Sequence, residues 1–285
     1  MSIPLKNLTT TKRKHPPLLS VYGTAGIGKT TLAAEFPSPL YLFTEGEEPP
    51  TDIELTTLTN ENGEPKPIES YTEILDVFEQ LLTEDHDFKT VIIDSLDSFE
   101  KMVWAYTCEQ KGGAREGWDT IDSNDKGSPT AFGKGYLAAD EYWNDYISAV
   151  RALARNGIHV VQLIHSEAKK WEDPVVDAYM RYKPNLQDRA MKLIKDKSDA
   201  LLFISKRTSV KQVDKGFGKK ESKVEGMSGS ERVIFTDERA GFHAKNRLNM
   251  PPSIPYRKGS GFDELSKYFY SPNNDNSSLE SGEPA

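Results

Sequence analysis

The sequence predicts an α/β fold with a mostly parallel central sheet and antiparallel edge strands, on three observations. Apolar runs of strand length alternate with helical stretches through most of the chain. A glycine-rich turn, Gly23-Thr-Ala-Gly-Ile-Gly-Lys-Thr30, lies between the first strand and the first helix. Near the carboxyl end, Arg232–Phe235 and Phe242–Arg247 follow one another without an intervening helical stretch, as antiparallel edge strands do.

Leu18-Leu-Ser-Val-Tyr22 is the first buried strand. The turn after it has the Gly-x-x-x-x-Gly-Lys-Thr spacing of a Walker A phosphate loop, in which glycines let backbone N–H groups curl around phosphates. Gly23, Thr24, Ala25, Gly26, Ile27 and Gly28 form the cradle, Lys29 reaches the terminal phosphates, and the Thr30 hydroxyl is placed to ligate Mg²⁺. Thr31 opens a short helix to Phe36, its amino-terminal dipole favouring the anion, and Pro37 stops it.

Pro39–Phe43 is the second strand and runs into Thr44-Glu45-Gly46-Glu47; Asn62-Gly63 then marks a hairpin or loop. Ser70-Tyr-Thr-Glu73 is a capping-box pattern before the apolar helical stripe Ile74, Phe78, Leu81 and Leu82. Thr90-Val-Ile-Ile-Asp94 is the third strand, apolar until its terminal carboxylate, and Leu96, Phe99, Val103 and Trp104 line the helix after it. Residues 111–135 lack periodicity. A long helix from about Phe132 to Arg155 is stopped by Asn156-Gly157. Ile158–Ile164 is the fourth strand and ends in His165-Ser166. Residues 166–188 read as irregular, a helix with Met191, Leu193 and Ile194 follows, and Ala200–Ile204 is a further strand. A Gly/Lys/Ser-rich connection, 210–230, leads to the late strands.

The bulk composition excludes several classes. The one cysteine, Cys108, rules out an internal disulfide framework and a Cys-rich zinc site. No apolar run has the length of a membrane span, and no hydrophobic signal core opens the chain, so a cytoplasmic protein is expected. The net charge of −8 hides an asymmetry: residues 1–110 carry −11 and the remainder +3. A basic binding surface in the second part is therefore compatible with the acidic whole. Residues 1–15, with Lys12-Arg13-Lys14, are expected to be a flexible basic arm, and 271–285 a disordered acidic tail.

Around the phosphate loop, Asp94 is placed to complete a Mg²⁺ site, or alternatively to cap the next helix. Glu45 ends the second strand where a carboxylate could position the attacking water, the alternative being a solvated acidic turn. His165 ends the fourth strand, where an imidazole could sense the terminal phosphate or serve structure alone.

Taken in order, the Walker A loop, Glu45, the Val-Ile-Ile-Asp94-Ser95 strand and the polar end of the fourth strand resemble the RecA-type recombinase core. Ala244-Lys245-Asn246-Arg247 before Pro251 is similar to a pattern shared with hexameric replicative helicases. The resemblance spans about residues 18–252 and is nearest to phage-encoded RecA-like ATPases of the single-strand annealing group. It implies a RecA-like P-loop NTPase core over residues 16–270, using ATP and Mg²⁺ in a homo-oligomer, ring or filament. It further implies that Lys245 and Arg247 act as a basic finger on the neighbouring subunit's ATP, where a solvated strand end is the alternative. RecA itself usually has Gln where His165 stands, and no counterpart of its separate carboxyl-terminal domain is expected.

In such proteins the irregular segments after the third and fourth strands line a DNA channel. The second contains Lys169, Lys170, Trp171, Arg181 and Lys183, cations interleaved with aromatics that suit single-stranded DNA; an ordinary polar surface loop is the alternative. The expectation is a DNA-stimulated ATPase that binds single-stranded DNA in annealing or recombination, in a bacterial host cytoplasm if phage-encoded. A single-strand-binding protein is a further candidate partner for the acidic tail. Two other classes stay open: a small-molecule kinase with Arg181 and Arg189 in a lid, and a nucleotide-gated clamp without significant hydrolysis.

Overall fold

The computed structural model describes residues 11, 13–112, 117–174, 177–214, 220–226 and 231–270, with backbone alone for 208–214 and 220–226. The expected acidic tail and most of the basic arm lie outside these residues. Arg13, within them, is held at 2.5 Å by Asp199.

Six strands form a parallel array. They are β1 (Leu18–Gly23), β2 (Pro39–Phe43), β3 (Thr56–Thr57), β4 (Thr90–Asp94), β5 (His159–Trp171) and β7 (Ala200–Lys206), in the spatial order β7-β1-β5-β4-β2-β3. Antiparallel strands β10 (Arg232–Phe235) and β12 (Ser253–Tyr256) extend the sheet beyond β7, and the two-residue β11 (Lys245–Asn246) pairs the amino end of β7. This is the mostly parallel sheet with antiparallel edges that the pattern predicts.

Alternation along the central strands divides the core into two layers. Leu18 and Tyr22 face helices α2 (Tyr71–Thr83), α3 (Leu96–Gly112), α4 (Lys134–Arg155) and α5 (Asp188–Lys197), with Phe78, Phe99, Trp143 and Tyr146 fully buried among them. Leu19 and Val21 face α1 (Lys29–Ala34) and α6 (Gly261–Ser266), packing with Leu32, Phe36 and Leu265. A polar thread crosses the first layer: Tyr146 OH donates to Gln162 (2.8 Å), Gln162 Nε2 to Ser20 (3.1 Å), and Ser20 pairs Ser198 (2.7 Å). Every member has a partner, so its burial carries no unsatisfied group.

Several boundaries differ from the sequence reading, each for a physical reason. Helix α1 starts at Lys29 rather than Thr31, because Gly28 at φ 102° turns the chain straight into the helix. Ser70 caps α2 by accepting from the Glu73 N–H, but the returning Glu73 carboxylate accepts from Glu69 N–H, one residue short of a complete capping box. Strand β12 contains Pro255, tolerable because an edge strand can leave a donor unused. The 210–230 connection contains the antiparallel ribbon β8 (Thr208–Asp214) with β9 (Lys220–Gly226).

The largest correction concerns residues 166–188. They are not an irregular loop: β5 continues past Ile164 to Trp171 and pairs antiparallel with β6 (Tyr179–Pro184), with Lys169 opposite Arg181 and Trp171 opposite Tyr179. The segment lacks apolar alternation because most of it faces solvent rather than a core.

The first turn of α4 carries Gly135 for a reason of space. A Cβ there would lie 1.9 Å from the Ile121 carbonyl oxygen, a backbone atom unable to yield. Gly135→Ala should therefore lower stability by about 1–3 kcal/mol, read as a shift in urea midpoint at unchanged slope.

Candidate functional site

The carboxyl ends of β1, β4 and β5 converge with the loop after β2 on one edge of the sheet. Lys29 is only 6% exposed, and its Nζ donates to the carbonyls of Gly23 (3.2 Å) and Thr24 (3.4 Å), so the side chain folds back over the phosphate loop. Burial lowers its pKa, while the charges of Asp94, Glu47 and Asp97 oppose that shift. Thr30 Oγ1 donates to Asp94 Oδ2 at 2.7 Å and Tyr41 OH donates to the same oxygen at 3.1 Å. Burial pushes the Asp94 carboxyl up, against these hydrogen bonds and the Lys29 charge. A hydroxyl and a carboxylate in contact, beside a buried ammonium, fit a magnesium–nucleotide pair.

Glu45 and Glu47 separate clearly. Glu45 is exposed on the solvent side of the loop. Glu47 is the carboxylate that turns inward, accepting from Ser95 Oγ (3.4 Å) and standing 3.6 Å from His165 Nδ1. Burial, followed by the Asp94 charge, raises the Glu47 pKa. Of the two loop carboxylates it is therefore Glu47, two residues beyond Glu45, that the fold brings to Ser95 and His165.

His165 is clasped by a residue that the motif search passed over. Asp97, in the first turn of α3, accepts from the His165 ring Nδ1 and from its backbone N–H, each at 3.0 Å. Burial would raise the Asp97 pKa, but the two His165 contacts outweigh it and leave the carboxyl below its ordinary range. The bond to Asp97 raises the His165 pKa, against burial and the Lys29 charge. Asp97 was legible only as the residue one helical turn after Asp94. Tyr41 and Arg232 were also missed; the Arg232 guanidinium carbon lies 2.9 Å from where a Gly28 Cβ would stand, covering one side of the phosphate loop.

The hairpin residues fall into two groups. Lys169, Lys170 and Trp171 are exposed; the two lysines stand at the surface beside Asp188 (3.5 Å) and Glu172 (3.8 Å). Arg181 and Lys183, by contrast, are buried and engaged within the chain. Arg181 is 7% exposed, pairs with Glu238 and lies 4.9 Å from the Trp171 ring centre. Lys183 is equally buried and held by Asp188 (2.5 Å) and Glu167 (3.2 Å).

Lys245 is likewise engaged within the chain. It lies on β11 beside Ala200 and Leu201, at the amino end of the parallel strands and away from the phosphate loop. Its ammonium donates to the carbonyls of Lys195 (2.6 Å), Asp196 (2.8 Å) and Ser198 (2.9 Å). Those carbonyls close α5 and lack intrahelical partners, so within the chain the lysine caps a helix. Arg247 is exposed, with its backbone N–H on the Asp199 carbonyl (3.0 Å), at the same far edge.

A phosphate loop after the first strand, a carboxylate ending a parallel strand two positions away, and antiparallel strands closing one edge define a RecA-like P-loop NTPase fold. The chain belongs to the AAA domain family, whose model matches residues 16–248. It is 25% identical over 193 residues to the SPbeta prophage-derived uncharacterized protein YorG of Bacillus subtilis (strain 168), covering 66% of this chain and 50% of that one. The chain thus spans about half the length of this curated relative. Among solved structures it is similar to the flagellar accessory protein FlaH of Methanocaldococcus jannaschii, at 10% identity and a TM-score of 0.38 over 86% of each chain. Among the described residues no helix is long and apolar enough to cross a membrane.

Two measurements check these assignments. With its pKa raised above 6.5, His165 adds stability that is full below that value and is lost as pH rises through the folded pKa. Asp97→Asn should lower the His165 pKa in an NMR titration and remove that increment from the pH–stability curve. Lys245→Ala should cost about 1–3 kcal/mol in unfolding free energy, through loss of charged hydrogen bonds to α5, while nucleotide affinity stays within twofold.

Proposed function

We propose that this chain is an ATPase that binds single-stranded DNA and uses nucleotide state to control that grip, in annealing or homologous recombination. The observation that carries the reading is the continuity of β5: one strand holds His165 at the nucleotide edge and, six residues on, Trp171 at the exposed end of the hairpin. A change in what His165 faces has a direct backbone path to Lys169, Lys170 and Trp171. The prophage origin of the Bacillus relative supports a phage setting, and hence a bacterial cytoplasm.

In this reading Lys29 holds the terminal phosphates and Thr30 with Asp94 would hold Mg²⁺, which supplies neutralisation of phosphate charge. Glu47, rather than Glu45, orients the attacking water; its raised pKa suits a group that accepts a proton. Asp97 keeps the His165 ring in one orientation, so the imidazole edge turned from Asp97 answers to the nucleotide. Self-association as a ring or filament belongs to the same reading, although Lys245 gives it no support. The kinase alternative loses its arginine lid: Arg181 is buried on Glu238, and Arg189 pairs with Asp140 (3.1 Å from Nε).

ATP hydrolysis measured with and without single-stranded DNA tests the reading, with a faster rate expected in its presence. Glu47→Gln should cut single-turnover hydrolysis by about 100-fold or more and leave ATP affinity within a few-fold. A rate indifferent to DNA, with phosphate transferred to nucleosides, would establish the kinase instead.

A further inference from the structure

The opposite face of the β5–β6 hairpin overhangs a cleft of about 620 Å³, within the range of about 300–1,000 Å³ typical of ligand sites. Its floor is aromatic. Tyr182 stacks on Phe203 with ring centres 5.4 Å apart, Phe203 on Phe242 at 4.8 Å, and Phe242 meets Phe235 at 4.7 Å. Met180, 60% exposed, and Tyr182, 40% exposed, leave part of this surface open to water.

The rim is cationic. Lys206, Arg207, Arg232 and Arg239 line the cleft, and Glu231 is the one carboxylate among its lining residues. Glu231 is shared between Arg207 (3.6 Å) and Arg257 (3.4 Å), so it does not neutralise the rim. The Arg239 guanidinium lies 4.9 Å from the Phe235 ring centre. A floor of aromatic faces with an excess of positive charge around it matches a ligand of flat rings joined by anions.

We propose that this cleft takes the bases of a single DNA strand, which stack on Tyr182 and the Phe235–Phe242 pair while the rim cations hold the phosphates. The inference rests on the single-strand-binding reading above and places the bases on the face of the hairpin opposite Trp171. Arg232 lines this cleft and also covers Gly28, so a strand seated here adjoins the phosphate loop through one side chain.

The test uses the full chain and a fluorescent oligothymidylate. Tyr182→Ala should weaken binding by about tenfold or more through loss of a stacking face, and Tyr182→Phe should retain it. Met180→Glu, a change at an exposed position that leaves the core intact, should also weaken binding and carries the test if Tyr182→Ala does not fold. Arg207→Ala with Arg239→Ala should flatten the log–log salt slope by about 1.4, the value for two phosphate contacts on a single strand. Affinity unchanged in the alanine and glutamate variants, while the unaltered chain binds, would overturn the cleft and leave the broader reading standing. Equal losses in Tyr182→Ala and Tyr182→Phe would overturn stacking. Variants that change only self-association would make the cleft a contact between copies. No binding by the unaltered chain would overturn both readings.

Discussion

Lys29 is a cation held nearly out of water, and the carboxyl edge of the sheet is organised around that charge. A buried ammonium is tolerated only when oxygen atoms replace its hydration. Here the loop carbonyls of Gly23 and Thr24 do so directly, and the carboxylates of Asp94, Glu47 and Asp97 supply the field. Asp94 is in turn buried and is stabilised by Thr30 and Tyr41. An incoming phosphate competes for the same ammonium and hydroxyl, so the groups that stabilise the loop are those that a nucleotide would redirect.

The second consequence of that charge is felt at His165. The imidazole is drawn toward protonation by Asp97 and pushed away from it by Lys29. Placing a polyphosphate between Lys29 and His165 would cancel the repulsion and favour the imidazolium, which is a response in charge rather than in shape. β5 runs unbroken from His165 into the hairpin, so the imidazole and the paired ribbon share one strand.

How much of this was legible in the sequence follows from the range of each interaction. The phosphate loop, β1, β2, β4 and α2 are written in local patterns of a few residues, and they stand where the periodicity and spacing put them. Glu45 and Glu47 share one loop, and spacing along an irregular turn does not say which carboxylate faces inward. The hairpin was missed because its strands are held by pairing across a turn and not by burial. The status of its cations was invisible for another reason. Arg181 is neutralised by Glu238, 57 positions away, and Lys245 is consumed by carbonyls 47 to 50 positions back. A basic residue in a sequence is a charge without an address, and only the fold says whether its partner is a solute or another part of the chain.

The same argument explains why the aromatic cleft escaped a reading centred on runs of mixed lysines and rings. Its floor is assembled from β6, β7, β10 and the segment before β11, none of which has a conspicuous composition alone. Phe203 is legible as a core residue of β7, and nearly all of it is buried. What makes it part of a surface is the stack of Tyr182 and Phe242 placed over it by the hairpin and the late strands. Stacking of this kind needs rings from separate elements to arrive nearly parallel, a constraint that a rigid sheet edge meets and a mobile loop does not. The hairpin thus contributes Tyr182 to an aromatic surface whose other rings come from β7, β10 and the segment before β11.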